Sequence, residues 1–492
     1  KECVNEAKKL NIRKFFCLGD YVGYYYEPHK CIDLLNKIKA ICIKGNHENI
    51  FLEILNDNKK IEYYKEKYGN GIKIAFKRLK KKHVEFISEL VLSIQNEGPI
   101  DKKNAIDRSM ESGVLTGSQL NKSIKEFYKL FSDSIKIRLR SDIELGSCLS
   151  GGLDSSSIVS IASSKSHKNS NNKFQTFHAK YLNNPSSDES KYVELIDKNF
   201  PINSNIIEID DELLLKYIDK SILIQEEPFL SPSVILQLII MQKAKKKNCK
   251  VLLDGQGGDE TLLGYERYYP KVIFNEKWSK KFNLFKKISK KSKLNFLNLI
   301  KYYFYFSFAS IRKFFLYRKT SFLINREELR NWKLNSSKFF ISSKIIFDLQ
   351  KSEITNYQLP HLLRYEDKNS MHHSIETRLP FLDYRLLEFN LSVNDSFKIY
   401  DGWSKYILRK SLDKKLSDEI VWRKEKIGFE LNEEKLLNKI ENQIFELIDN
   451  SKLAKKIFNI SKLKLNYSRY SARMKWRIFN LLKWENYFKL KT

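Results

Sequence analysis

The stretch LSGGLDSSSIVSIAS (149–163) decides the fold class of this chain. A strand candidate, ELGSCLS (144–150), runs into Ser150-Gly151-Gly152, then Asp154-Ser155-Ser156, and then a helical pattern. Two glycines let the backbone turn tightly and present its N–H groups. The helix start adds partial positive charge, so an anion there is favoured by ~0.3–2 kcal/mol. The loop is not a Walker A loop, because no Gly-Lys-Ser/Thr ending follows. Without a γ-phosphate lysine it suits gripping and releasing a whole pyrophosphate. Asp154 would repel phosphate unless a cation lay between them, and Mg²⁺ does that with one or two carboxylates plus phosphate oxygens.

Working outward, three more strand candidates follow at 173–181, 203–209 and 249–255, with helical segments between them. Strands alternating with helices predict an α/β fold, a doubly wound parallel sheet with ligands at the carboxyl ends of its strands. CKVLLDGQGGDE (249–260) then supplies a second glycine-rich turn and a second carboxylate, Asp259. From Tyr265 onward the pattern is almost wholly helical, ending in the amphipathic segment 473–488. On the other side, a helical pattern begins at Ser123, and Pro99–Lys122 is polar and aperiodic, a linker by composition. Lys1–Gly98 has the rhythm of a short α/β fragment: KFFCLGD (14–20) and KAICIKGN (39–46) read as strands around a helix over His29–Ile38. The expected organisation is therefore 1–98, a linker 99–122, and a main domain 123–490.

Bulk properties agree. At roughly 150 residues per domain, 492 residues imply more than one, and 42% hydrophobic residues exclude a largely disordered chain. The richest apolar stretch, Tyr302–Ser310, falls short of the ~18 residues of a membrane span. Residue 1 is Lys and Lys1–Leu10 carries no signal pattern, so the chain reads as clipped or processed at its start. The six cysteines (3, 17, 31, 42, 148, 249) include no CxxC pair and read as small core residues in a reducing, cytoplasmic setting. The formal charge is +30, and Lys271–Thr320 holds fourteen Lys/Arg against one Glu. Its aromatics alternate with lysines as in an amphipathic helix whose apolar face packs inward. Nucleic acid and membrane are accordingly not expected as partners. A non-catalytic protein gripping either through 271–320 is the different-class alternative, and oligomeric state is left open.

Four ordered segments carry a resemblance: SGGLDSS (150–156), LLDGQGGDE (252–260), LPHLLRYEDKNSMHHSIETRLPFLDYRLLEF (359–389) and WRKEKIGFE (422–430). Together, over roughly Asn121 to Leu490, the chain resembles the synthetase domain of glutamine-dependent asparagine synthetases, which are pyrophosphate-loop ATP enzymes. The resemblance implies adenylation of the aspartate side chain by Mg-ATP, release of pyrophosphate, and displacement of AMP by ammonia. It implies that Ser150, Gly151, Gly152, Leu153, Asp154, Ser155, Ser156 and Gly255 form the nucleotide site. Asp154 and Asp259 would hold Mg²⁺, and Lys426 would stabilise negative charge during adenylation. Where the best-known members carry Glu in this turn, the chain has Gln256, which orients by hydrogen bonds but takes no proton. Glu227 resembles an acidic residue near the acceptor pocket, while Arg378 and Asp383 fit either a buried ion pair or pocket residues. Related enzymes act on sugars or other carboxylates, so aspartate is the first acceptor among several. The glutaminase domain of that family does not fit residues 1–98, so ammonia is expected free or from a separate glutaminase.

The front instead resembles calcineurin-like metallophosphoesterases through LGDYVGYYYEPHKCIDLLNKIKAICIKGNHENIF (18–51). The resemblance implies metal ligation by Asp20 and Asn46 and proton donation by His47. Two-metal hydrolysis needs more ligands than this stretch holds, so the fragment is expected to be catalytically silent.

Overall fold

The computed structural model describes residues 4–5, 15–17, 19–22, 27–42, 44–56, 61–62, 71–90, 117–169, 173–182, 188–321, 323–325, 327–330, 346–424, 431 and 433–489. They fall into two compact units, Lys1–Lys102 and Lys103–Thr492.

In the first unit, β1 (Phe16–Cys17) pairs in parallel with β2 (Ile41–Cys42). Helix Pro28–Lys37 joins them, with proline in its first turn, where a missing N–H costs nothing. Helices Asn46–Asn56, Gly71–Arg78 and Lys81–Glu89 complete the described part. Tyr21, Val22, Ile32, Phe51, Ala75 and Ile87 form its core. Cys31 is exposed, contrary to the expectation that the cysteines are core residues.

The second unit is built on a five-stranded, wholly parallel sheet in the order β5-β4-β3-β6-β7. Its strands are β3 (Leu145–Cys148), β4 (Phe174–Tyr181), β5 (Ile202–Ile209), β6 (Val251–Leu253) and β7 (Glu376–Arg378). Leu252 packs into one core cluster with Phe177, Ile239 and Trp476, while Leu253 packs into the other with Phe131, Ile158 and Phe381. Adjacent residues of β6 thus face opposite cores, as the two-residue strand period requires of a sheet covered on both sides. The chain runs outward from β3 to β5 on one side and returns to β6 on the other. The β3 and β6 loops therefore flank the switch point, where such sheets bind ligands.

Four strands lie where the sequence pattern puts them. The fifth, β7, does not: its residues Glu376-Thr377-Arg378 lack an apolar run, and the stretch reads as helical. It forms because Glu376 N–H donates to Lys250 O at 2.9 Å and Asp254 N–H donates to Arg378 O at 3.1 Å. The helix expected from Ser123 begins at Gly117 and runs to Arg138, inside the stretch that composition marks as linker.

The basic aromatic region folds as helices Tyr269–Asn275, Trp278–Lys291, Phe296–Ser307 and Ala309–Ser321. Tyr268, Ile273, Ile288 and Leu299 make their shared core. The closing helix, Ala472–Phe488, buries Trp476, Phe479 and Leu482. Its Asn480 accepts from Phe229 N–H at 2.8 Å. Among the described residues no helix is long and apolar enough to cross a membrane.

Candidate functional site

The loop after β3 is held from both sides. Leu149 N–H donates to Phe177 O at 2.9 Å, and buried His178 places Nδ1 2.9 Å from Leu149 O. Burial lowers the His178 pKa, so the ring is neutral and Nδ1 carries the proton that bonds this carbonyl. Ser150 N–H donates to Ser155 Oγ at 3.1 Å, and Gly152 N–H donates to Ser150 Oγ at 3.2 Å. Gly151 has φ +78°, and a Cβ there would lie 3.0 Å from Glu189 O, so glycine is needed for both conformation and space. The Ser156 hydroxyl is buried with no hydrogen-bond partner among the described residues. Beside the loop, the largely covered side chain of Arg423 pairs with Glu189 at 2.7 Å and lies 3.9 Å above the Tyr192 ring. Its Nε and Nη2 have no partner among the described residues.

The β6 loop presses against Asp154. A Cβ at Gly255 would lie 3.2 Å from Asp154 Cβ, and one at Gly258 would lie 2.8 Å from Asp154 Cγ. Gly257, at φ +88°, turns the chain between them. Asp259 follows, and both carboxylates converge on Lys405: its Nζ is 2.8 Å from Asp259 Oδ1 and also pairs with Asp154. Lys405 is 5% exposed and adopts a left-handed conformation, φ +52°, before helix Tyr406–Ser411. Burial pulls its ammonium pKa down, but Asp154 and Asp259 more than offset this and the net shift is upward. Sequence reasoning missed Lys405. The signal was DGWSKYILR (401–409), a turn before an apolar helix, with no chemistry of its own. Two hard oxygen donors close enough to share one ammonium fit the cation that the sequence predicted for Asp154 and Asp259.

Behind the β6 loop lies an acidic pair that the sequence did not single out. Glu366, on helix Gln358–His372, is 1% exposed, and neither carboxyl oxygen has a good hydrogen-bond partner among the described residues. Burial, then nearby Asp254, pushes its pKa well above the usual carboxyl value. Burial also pushes Asp254 up, to about 6, against hydrogen bonds from Gly255 N–H and Gln237, with Asp154 adding to the rise. Two close buried carboxyls cannot both ionise cheaply, so the pair holds a proton. From Gln237 a polar chain continues: Asn369 Nδ2 donates to Gln237 Oε1 at 3.0 Å, and Gln225 Nε2 donates to Asn369 Oδ1 at 2.8 Å. Arg364 Nη2 donates to Gln225 O at 3.1 Å and pairs with Glu227.

Glu227 is thus half-exposed and tied to Arg364. Arg378 and Asp383 are not each other's partners. Arg378 Nη1 donates to the carbonyls of Arg138 and Arg140, each at 2.7 Å. Asp383 is buried between Arg138 at 3.1 Å and Arg385 at 2.9 Å. Burial opposes its charge, but Arg385 and Arg138 hold its pKa at about 2. Lys426 lies outside the described residues.

In the first unit, Glu48 ties the β1 and β2 loops together, accepting from the N–H groups of Asp20 (2.7 Å), Tyr21 (2.6 Å) and Gly45 (2.8 Å). Asp20, at φ +61°, accepts from His47 N–H at 3.2 Å. His47 is fully buried, and the Asn46 side chain lies outside the described residues. Among the described residues no three His, Cys, Asp or Glu gather as a metal site.

A family model described as asparagine synthase matches residues 126–486. The chain belongs to the asparagine synthase family. A second model, calcineurin-like phosphoesterase, matches residues 1–144. Asparagine synthetase [glutamine-hydrolyzing] 3 of Bacillus subtilis is 24% identical over 381 residues, 72% of this chain and 54% of that protein. Asparagine synthetase [glutamine-hydrolyzing] 1 of the same organism is 26% identical over 326 residues, 63% of this chain and 50% of that protein. The chain therefore spans about half the length of these relatives. An uncharacterized protein of Methanocaldococcus jannaschii is 33% identical over 94 residues, 19% of this chain and 36% of that protein.

Proposed function

We propose that the second unit is an ATP-dependent amide-forming ligase whose first acceptor is aspartate. The observation that carries this reading is the convergence of Asp154 and Asp259 from two neighbouring strand-end loops on one buried lysine, with Gly255 and Gly258 packed against Asp154. The aspartate side-chain carboxylate attacks the α-phosphorus of ATP, the bond to the β-phosphate oxygen breaks, and pyrophosphate leaves. Backbone N–H groups of the 150–156 loop, the Ser156 hydroxyl and the Nε and Nη2 edge of Arg423 are suited to receive it. Magnesium bound by Asp154 and Asp259 would supply countercharge for the phosphates. Lys405 holds the two carboxylates together, and Lys426 is assigned the charge developing at the adenylated carboxyl.

Ammonia, free or from a separate glutaminase, then attacks the acyl carbon of β-aspartyl-AMP and AMP departs. The attacking nitrogen must lose a proton, and the Gln256 amide cannot take it. We assign that proton to Asp254, which stands two residues before Gln256 and shares its buried charge with Glu366. A sugar or another carboxylate as acceptor is the second reading, favoured by Gln256 in the turn. Protein incubated with Mg-ATP, aspartate and ammonium should release pyrophosphate, and Asp154→Ala should abolish it. Folded protein that released none with aspartate, or with a panel of sugars and carboxylates, would overturn the ligase assignment.

A further inference from the structure

The helices over 278–321 do not bury all their aromatics. Leu284, Phe285, Ile288, Leu299, Tyr302 and Tyr303 face the local core. On the outer side, Trp278 is 85% exposed, Leu297 69% and Phe282 60%, and Phe304, Phe308, Phe314 and Phe315 are exposed as well. The exposed rings Phe282, Phe304 and Phe308 are linked through Phe296, Phe285, Tyr303 and Phe274, of which Phe285 and Tyr303 belong to the local core. Phe282 meets Phe296 edge-on at 6.1 Å, Lys281 lies over both Trp278 (5.3 Å) and Phe274 (5.4 Å), and Phe274 meets Phe308, which stacks on Phe304. The expectation that this apolar face packs inward therefore holds for one side of the helices only. Several large apolar side chains exposed on one set of helices in this way mark a binding face.

Charge identifies the partner. Glu276 is the only acidic residue among the fourteen Lys/Arg of 271–320. Lys287 and Lys291 are engaged by Asp401. Lys280, Lys286 and Lys290 remain exposed on the same helix as Trp278 and Phe282, and Lys277 is exposed at its N-cap. Aromatic anchors flanked by lysines on short helices that cannot span a bilayer match the water–lipid interface, where rings enter the headgroup region and ammonium groups meet anionic lipid. A duplex nucleic acid would use the lysines but leave Leu297, Phe314 and Phe315 in water. We infer that this helical face docks the protein on an anionic membrane surface, with Trp278, Phe282 and Leu297 as inserted anchors. This inference is independent of the ligase reading, since none of these residues touches the Asp154–Asp259 site.

The test is co-sedimentation of the full chain with phosphatidylcholine vesicles made with and without phosphatidylserine. Binding is expected only with phosphatidylserine, falling as salt rises and by roughly five-fold for each of Lys277→Gln and Lys280→Gln. The combined Trp278→Ser, Phe282→Ser and Leu297→Ser variant should lose about ten-fold or more. Its melting temperature should stay at the parent value, because these side chains project into solvent. Three results would each overturn the inference: no sedimentation of folded protein at low salt; lipid binding that ignores the triple substitution; or a lipid-free dimer that the triple substitution dissolves, which would assign the face to a second copy of the chain.

Discussion

Replacing Lys405 with methionine keeps an apolar stem out to the Cε position but removes the charge between Asp154 and Asp259. The ammonium is buried, its Nζ is 2.8 Å from Asp259 Oδ1, and it also pairs with Asp154. Removing one partner of a buried ion pair costs about 3–5 kcal/mol, because the remaining charges keep their desolvation penalty and here also repel each other. At roughly 2 °C per kcal/mol for a large unit, Lys405→Met should melt about 6–10 °C below the parent. A divalent cation provides the sensitive readout. With the ammonium gone, magnesium is the available countercharge, and at about a hundred times its dissociation constant a ligand returns ~2.7 kcal/mol. Scanning calorimetry should therefore show magnesium raising the melting temperature of Lys405→Met well above its effect on the parent, where Lys405 competes for the same oxygens. A variant as stable as the parent, or one indifferent to magnesium, would refute the view that these two carboxylates form a single cation-binding unit.

Asp254→Asn should remove the limb of the pH–rate profile that rises through about pH 6, because Asp254 must be ionised to accept a proton. Its raised pKa favours folding below the ordinary carboxyl range, and that stability is lost as pH rises through about 6, so the variant should gain on the parent above that pH in urea titrations. Gly264→Ala puts a Cβ 2.0 Å from Asp259 Oδ1 and 2.3 Å from Lys405 Cε, and calorimetry should find nucleotide binding weakened by about ten-fold or more. Asp383→Asn should cost about 3 kcal/mol at neutral pH by leaving Arg138 and Arg385 without their carboxylate. Because Arg385 and Arg138 depress this carboxyl, its contribution is lost as pH falls toward about 2, so the two urea midpoints should converge in acid.

Some residues announced themselves and others did not. The strand–turn–helix at 149–163 was legible because an apolar run, paired glycines and a following helical pattern are all local signals. β6 was legible because a strand covered on both faces reads as a short apolar run, and β3 to β5 because short strand-like stretches alternate with helical patterns. β7 was not, since Glu376-Thr377-Arg378 becomes a strand only through hydrogen bonds to Lys250 and from Asp254. Helix Gly117–Arg138 begins among polar residues that composition alone marks as linker. Arg378 and Asp383, close in sequence, point to different partners.

By itself the sequence determined the parallel α/β plan, the glycine-turned loop after β3 and the two acidic tips, because each depends on neighbours within a few positions along the chain. Only the tertiary structure decided that Lys405, 251 residues beyond Asp154, bridges those tips, that Glu366 shares its burial with Asp254, and that Trp278, Phe282, Phe304, Phe308, Phe314 and Phe315 turn outward. Ion pairing, desolvation and exposure depend on which groups lie within a few ångströms in space. Local spacing does not record that distance once the chain has folded back across the sheet.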